Sequence, residues 1–162
     1  MSDWADNPRL NTWLAAQQTA FPVWSRETGQ AWDFTVDSLD RLDQLLRERF
    51  AGWDDLLAAE EAEQPAVMVP GWYLGEVLNR NYGTVWHRNP VEPTHPDQPK
   101  TPFVQFLKDP GAEEEYEDED DYVDEDNLPP ICNPFIEIRG LFVRRPNDHL
   151  RDVVIRFERY ER

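Results

Sequence analysis

Apolar residues recur along this chain at helical spacing, in runs broken by proline and glycine. Leu10, Trp13, Leu14 and Phe21 step by three, four or seven residues, which predicts an amphipathic helix from Pro8 to Ala20. Asn7 is its expected N-cap and Pro8 its first helical residue, where a missing N–H costs least. Pro22 falls just past the expected end. The clearest stripe is Leu39, Leu42, Leu45, Leu46 and Phe50, in a helix opened by Asp33-Phe34-Thr35-Val36-Asp37-Ser38-Leu39. Thr35 is the expected cap and Asp37 the alternative; a carboxylate in the first turn also suits the helix dipole. Asp40, Arg41, Asp43, Arg47 and Glu48 are expected on the wet side. After Gly52, a shorter helix is predicted over Trp53–Glu63.

The next stretch organises the rest. Leu74, Val77, Leu78 and Asn81 keep helical spacing, and Gly71 and Gly75 lie four apart on one face. Glycine inside a helix costs roughly 1 kcal/mol against alanine, so the pair predicts a backbone packed close to that face. Gly83 suits the left-handed residue that ends a helix. Pro70 is expected at the helix start and not within it, with an earlier, kinked start at Val67 left open. Thr84–Arg88 and Phe103–Leu107 read as two strands pairing antiparallel across a proline-rich loop. Pro134–Arg145 fits helix or strand; Asn133-Pro134 favours helix. Asp148 is the expected cap of a last helix that buries Leu150, Val153, Val154 and Phe157. The expected fold is α+β: a mostly helical single domain over 1–162, with a small two-stranded antiparallel ribbon and an acidic loop insertion.

Composition adds two constraints. Seven tryptophans and eight phenylalanines need burial, so the chain folds. The net charge is −17, yet residues 113–126 hold eleven acidic and no basic side chains. Like charges at that density repel, so 109–127 is expected to be a mobile acidic loop. The acidic balance argues against direct nucleic-acid binding and against an anionic membrane surface. A lone Cys132 precludes an intrachain disulfide. The start Met-Ser-Asp-Trp is not of signal-peptide type and no run approaches a membrane span, so a cytoplasmic location is expected.

The pairing of Asp33-Phe34-Thr35-Val36-Asp37-Ser38-Leu39 with Gly71-Trp72-Tyr73-Leu74-Gly75-Glu76-Val77, then Gly83 and Trp86, resembles a small bacterial family. Its pattern is a D-[FY]-[ST]-x-x-S-L helix start followed by a G-x-Y-L-G-E-V helix. The resemblance spans about residues 33–88 and is weaker around Pro134 to Phe142. It implies a cytosolic α+β domain, carries no catalytic residues, and does not include the acidic run. Gly71, Tyr73, Gly75, Glu76 and Trp86 are its structural positions here.

Little of the sequence points to catalysis. Glu76 lies among apolar neighbours, where a carboxylate becomes either a general acid or base or a structural partner of Arg80 or a tryptophan N–H. The structural role is expected, for want of a second catalytic group. His87, His95 and His149 show no metal-ligand spacing; His95 with Asp97 makes at most a weak grip. Cys132 has no histidine partner in a recognisable motif, and no phosphate-cradling glycine loop occurs. The acidic run lacks the glycine turn of a calcium loop. No cofactor and no metal are expected. The leading expectation is a non-enzymatic protein-binding module, such as an immunity or regulatory protein, that docks a basic partner. Glu119, Asp120 and Asp121 with Tyr116 and Tyr122 are its candidate contacts. The alternatives are a nucleic-acid mimic that occupies a DNA-binding protein, and an enzyme using Glu76.

Overall fold

The structure of the chain, a computed structural model, describes residues 3–95, 101–107, 129–143 and 149–160. The acidic run at 109–127, with Tyr116, Glu119, Asp120, Asp121 and Tyr122, lies outside the described residues, as do Asp97 and Asp148. A short 3-10 turn at Asp3–Ala5 leads into α1 (Pro8–Thr28), α2 (Ser38–Arg49), α3 (Trp53–Glu61) and α4 (Pro65–Tyr82). Then come β1 (Val85–His87), β2 (Phe103–Gln105), β3 (Ile131–Cys132), α5 (Pro134–Gly140) and α6 (Asp152–Glu158). The architecture is α+β and mainly helical, as the periodicities predict.

Among the described residues the sheet has three strands, not two, in the order β1-β2-β3 and antiparallel throughout. Trp86 faces Val104, and Val104 faces Cys132. Helix α4 runs through the middle and touches α1, α3, α5, α6 and the first two strands. That position explains why Val67 to Leu78 is buried nearly all round, Glu76 apart. Gly83 ends α4 at φ 79° and returns its N–H to the Asn79 carbonyl. Asn133 caps α5 by accepting the Phe135 N–H, so the ambiguous 134–145 stretch is helical at its start.

Three further expectations are corrected. Helix α1 does not stop before Pro22 but runs to Thr28, capped by Gly29 at φ 68°. Pro22 and Gln18 are both solvent-exposed, so the helical bond lost to the proline falls on the wet face of the helix. Beyond it, Trp24 is buried against Phe21, Trp32 and Tyr73, and that packing carries the helix past the proline. Helix α4 likewise starts at Pro65 and includes Pro70. Asp43, assigned to the wet side of α2, is buried, and its Oδ2 accepts the Leu150 N–H at 2.9 Å.

Candidate functional site

The two motif segments meet. Asp33 Oδ1 accepts the Thr35 N–H and hydroxyl, which turns the chain. Phe34 then sits at φ 60°, a left-handed conformation unusual for a bulky residue. Side chains from α4 hold both of its backbone groups. The Phe34 N–H donates to the Tyr73 hydroxyl at 2.9 Å, and Asn81 Nδ2 donates to the Phe34 carbonyl at 3.0 Å. The Arg80 guanidinium lies 3.6 Å over the Phe34 ring. Asp37, not Thr35, holds the N-cap position of α2 and makes no side-chain capping bond, while Thr35 Oγ1 accepts the Ser38 N–H at 3.3 Å. Ser38 Oγ donates to the Thr35 carbonyl, so the Tyr73 hydroxyl donates to Ser38 Oγ at 2.7 Å. Tyr73 is fully buried, and burial pushes its phenol up from the ordinary value.

The glycine pair has a reason different from the expected one. Side chains, not a second backbone, occupy the space. A Cβ on Gly71 would meet the Phe135 ring at 2.5 Å, and one on Gly75 would overlap the Trp86 indole. Trp86 donates its Nε1–H to Glu76 Oε2 at 3.1 Å. Asn79 Nδ2 reaches the same oxygen at 3.2 Å, and Arg80 reaches Oε1 at 3.5 Å. The Glu76 side chain is only 17% exposed. Its carboxylate therefore ties the end of α4 to β1, with Thr84 joined through Asn79.

The remaining candidates are scattered. His87 is buried, with Nδ1 2.9 Å from the Val85 carbonyl and its ring stacked on Phe103. His149 lies 3.4 Å from Asp43. Cys132 is buried, and desolvation drives its thiol far above the ordinary range. No group of three or more potential ligands gathers to hold a metal ion among the described residues. None of their helices is long and apolar enough to cross a membrane.

Two features escaped the sequence reading. One is a cleft of about 540 Å³ between the start of α1, the end of β1 and the α3–α4 connection, with Arg9, Gln17, Glu63 and Arg88 on its walls. Gln17 continues the Leu10, Trp13, Leu14 stripe, so a polar residue at a core position was the available signal. The other is a set of exposed isoleucines, Ile131, Ile136 and Ile155, on β3, α5 and α6. Nothing in periodicity separates them from core residues. No protein-family model matches the chain, and no curated protein or solved structure matches it.

Proposed function

We propose that the protein is a docking module for a basic protein partner. The observation that carries this is the isoleucine set beside an open strand edge. Ile131, Ile136 and Ile155 are 51%, 49% and 42% exposed. The Arg156–Glu137 ion pair at 3.1 Å joins α6 to α5 at the residues next to Ile155 and Ile136. Among the described residues β3 has a strand partner on one side only, and Leu107, just past β2, is also exposed. Fully burying an aliphatic side chain is worth about 1.5–3 kcal/mol, so covering three half-exposed ones supplies a few kcal/mol of contact energy.

The charge of the chain favours a basic partner over them. The sequence inserts its eleven clustered acidic residues between β2 and β3, after Leu107 and before Ile131. That connection carries a strong negative charge, so complementarity calls for a basic surface with an apolar centre. Glu76 does not line the cleft described above, and its oxygens already accept hydrogen bonds, which weighs against the enzyme reading.

Cross-linked capture from the native host tests the proposal, with an Ile136→Asp/Ile155→Asp variant alongside. The expected result is a basic partner held by the wild type and lost by the variant. A partner held equally by both would overturn the assigned surface. A DNA-binding protein released by added DNA would point instead to nucleic-acid mimicry.

A further inference from the structure

Helix α6 is too short to stand alone and is fastened to the body by charge at both ends. It has seven residues, and an isolated helix of that length is marginal in water. It folds because Leu150, Val153, Val154 and Phe157 are buried against the rest, with Phe157 beside Tyr82 and Phe106. Carboxylates of α2 hold its N-terminal end. Asp43 accepts the Leu150 N–H at 2.9 Å and lies 3.4 Å from His149. Arg151 reaches Asp37 at 2.9 Å and Asp40 at 3.1 Å, and all three side chains are well exposed to solvent and salt. Further along, Arg156 pairs with Glu137 of α5 at 3.1 Å, and the Tyr82 hydroxyl donates to Glu158 at 3.1 Å. Arg151, Arg156 and Arg159 against Asp152 and Glu158 give residues 149–160 a net charge of +1 with His149 neutral, in a chain of −17. The segment is therefore attracted to a negative body as a whole, beyond its individual pairs.

We propose that residues 149–160 form a charge-fastened latch, which undocks as one unit while α4 stays packed. Elements with few buried groups open at a lower free energy than the centre of a fold. Four apolar side chains seat this segment, whereas α4 is buried nearly all round from Val67 to Leu78. The consequence for binding rests on the docking reading above. Arg156 and Glu137 join α6 to α5 next to Ile155 and Ile136, so the two isoleucines are brought together only while α6 is docked. Undocking takes Ile155 away and uncovers Tyr82 and Phe106. Asp37, Asp40 and Asp43 touch none of the isoleucine face, yet through the latch they set how much of it is assembled.

Amide hydrogen exchange on the full chain, read by NMR, tests the latch. No partner enters the measurement, so a failure here is distinct from a failure of the docking reading. The α6 amides should exchange at least about tenfold faster than the slowest amides of α4. Arg151→Gln should speed α6 by about two- to fivefold, the range for exposed ion pairs, and leave α4 unchanged. Arg26→Gln makes the same charge change on an exposed residue in the last turn of α1 and should leave both helices as in wild type. Raising salt from about 0.1 to about 1 M shortens the Debye length from about 10 to about 3 Å. It should raise α6 exchange relative to α4 more in wild type than in Arg151→Gln. The latch is overturned if α6 exchanges no faster than the slowest α4 amides, or if Arg151→Gln leaves α6 as in wild type. It is equally overturned if Arg26→Gln speeds α6 as much as Arg151→Gln, or if salt acts alike on both proteins.

Discussion

Gly75→Ala sets helix propensity against packing. Alanine is favoured over glycine in a helix by about 0.8–1 kcal/mol, so propensity alone predicts a more stable protein. Here the new Cβ falls on Cη2 and Cζ2 of Trp86. The indole has little room to swing away. It is 6% exposed, packs edge-on against Trp13 with centroids 5.2 Å apart, and donates to Glu76 at 3.1 Å. Overpacking costs about 1–3 kcal/mol, and losing a hydrogen bond to a charged acceptor about 1.5–3. After the propensity gain, the net loss is about 1.5–5 kcal/mol. At this chain length each kcal/mol moves the melting temperature by about 2–4 °C, so a fall of about 3–20 °C is expected by calorimetry. Gly52→Ser is the control. A Cβ at Gly52 meets nothing within 4 Å, and serine is a better N-cap, so melting should stay within about 2 °C of wild type. A Gly75→Ala protein that melts at or above wild type would refute the packing argument.

Other outcomes follow from buried polar groups. Asp43→Ala removes the acceptor of the Leu150 N–H and of Arg47 Nε at 2.6 Å, and should cost about 2–4 kcal/mol in urea denaturation. Asp43→Asn keeps one oxygen and should cost clearly less; equal losses would mean that charge, not the hydrogen bond, matters. Burial, helped by Glu158, pushes Tyr82 up to about 12, and burial also raises Tyr73. Both phenols stay neutral in the fold while those of the unfolded chain ionise near pH 10. Their contribution is therefore intact below about pH 10 and is lost as pH rises towards about 12. The melting temperature should fall across that window, less steeply in Tyr82→Phe; an identical profile in the variant would contradict the assignment. Cys132 should react with a thiol reagent only through unfolding, at a rate set by opening. Rapid labelling of the native protein, limited by reagent, would contradict its burial.

What could be read in advance was local. The Leu39 to Phe50 stripe, the Gly83 stop, the Asn133-Pro134 helix start and the burial of Leu150, Val153, Val154 and Phe157 each follow from a few neighbouring residues. What could not be read depends on distant partners. The acceptor role of Asp43 needs an N–H 107 residues away. Ile131–Cys132 is too short to signal a strand and exists because Val104 and Gln105 pair with it. Pro22 should end a helix, and only the burial of Trp24 reverses that. The Gly71 and Gly75 positions implied close approach, but periodicity does not say that the Phe135 and Trp86 rings make it. In the cleft, Gln17 was visible as a polar residue on an apolar stripe, while Arg9 and Arg88 come together only through the fold.

The docking claim is tested most directly by stopped-flow kinetics with the captured partner at two salt concentrations. Wild type, a variant lacking residues 112–126, and Ile136→Asp would be compared. Charge steering acts on association and is screened by salt, whereas buried apolar contacts act on dissociation. Deleting the acidic segment should therefore slow association and flatten its salt dependence, with dissociation little changed. Ile136→Asp should speed dissociation and leave association nearly as it was. Association indifferent to both salt and the deletion, with dissociation indifferent to Ile136→Asp, would contradict the claim.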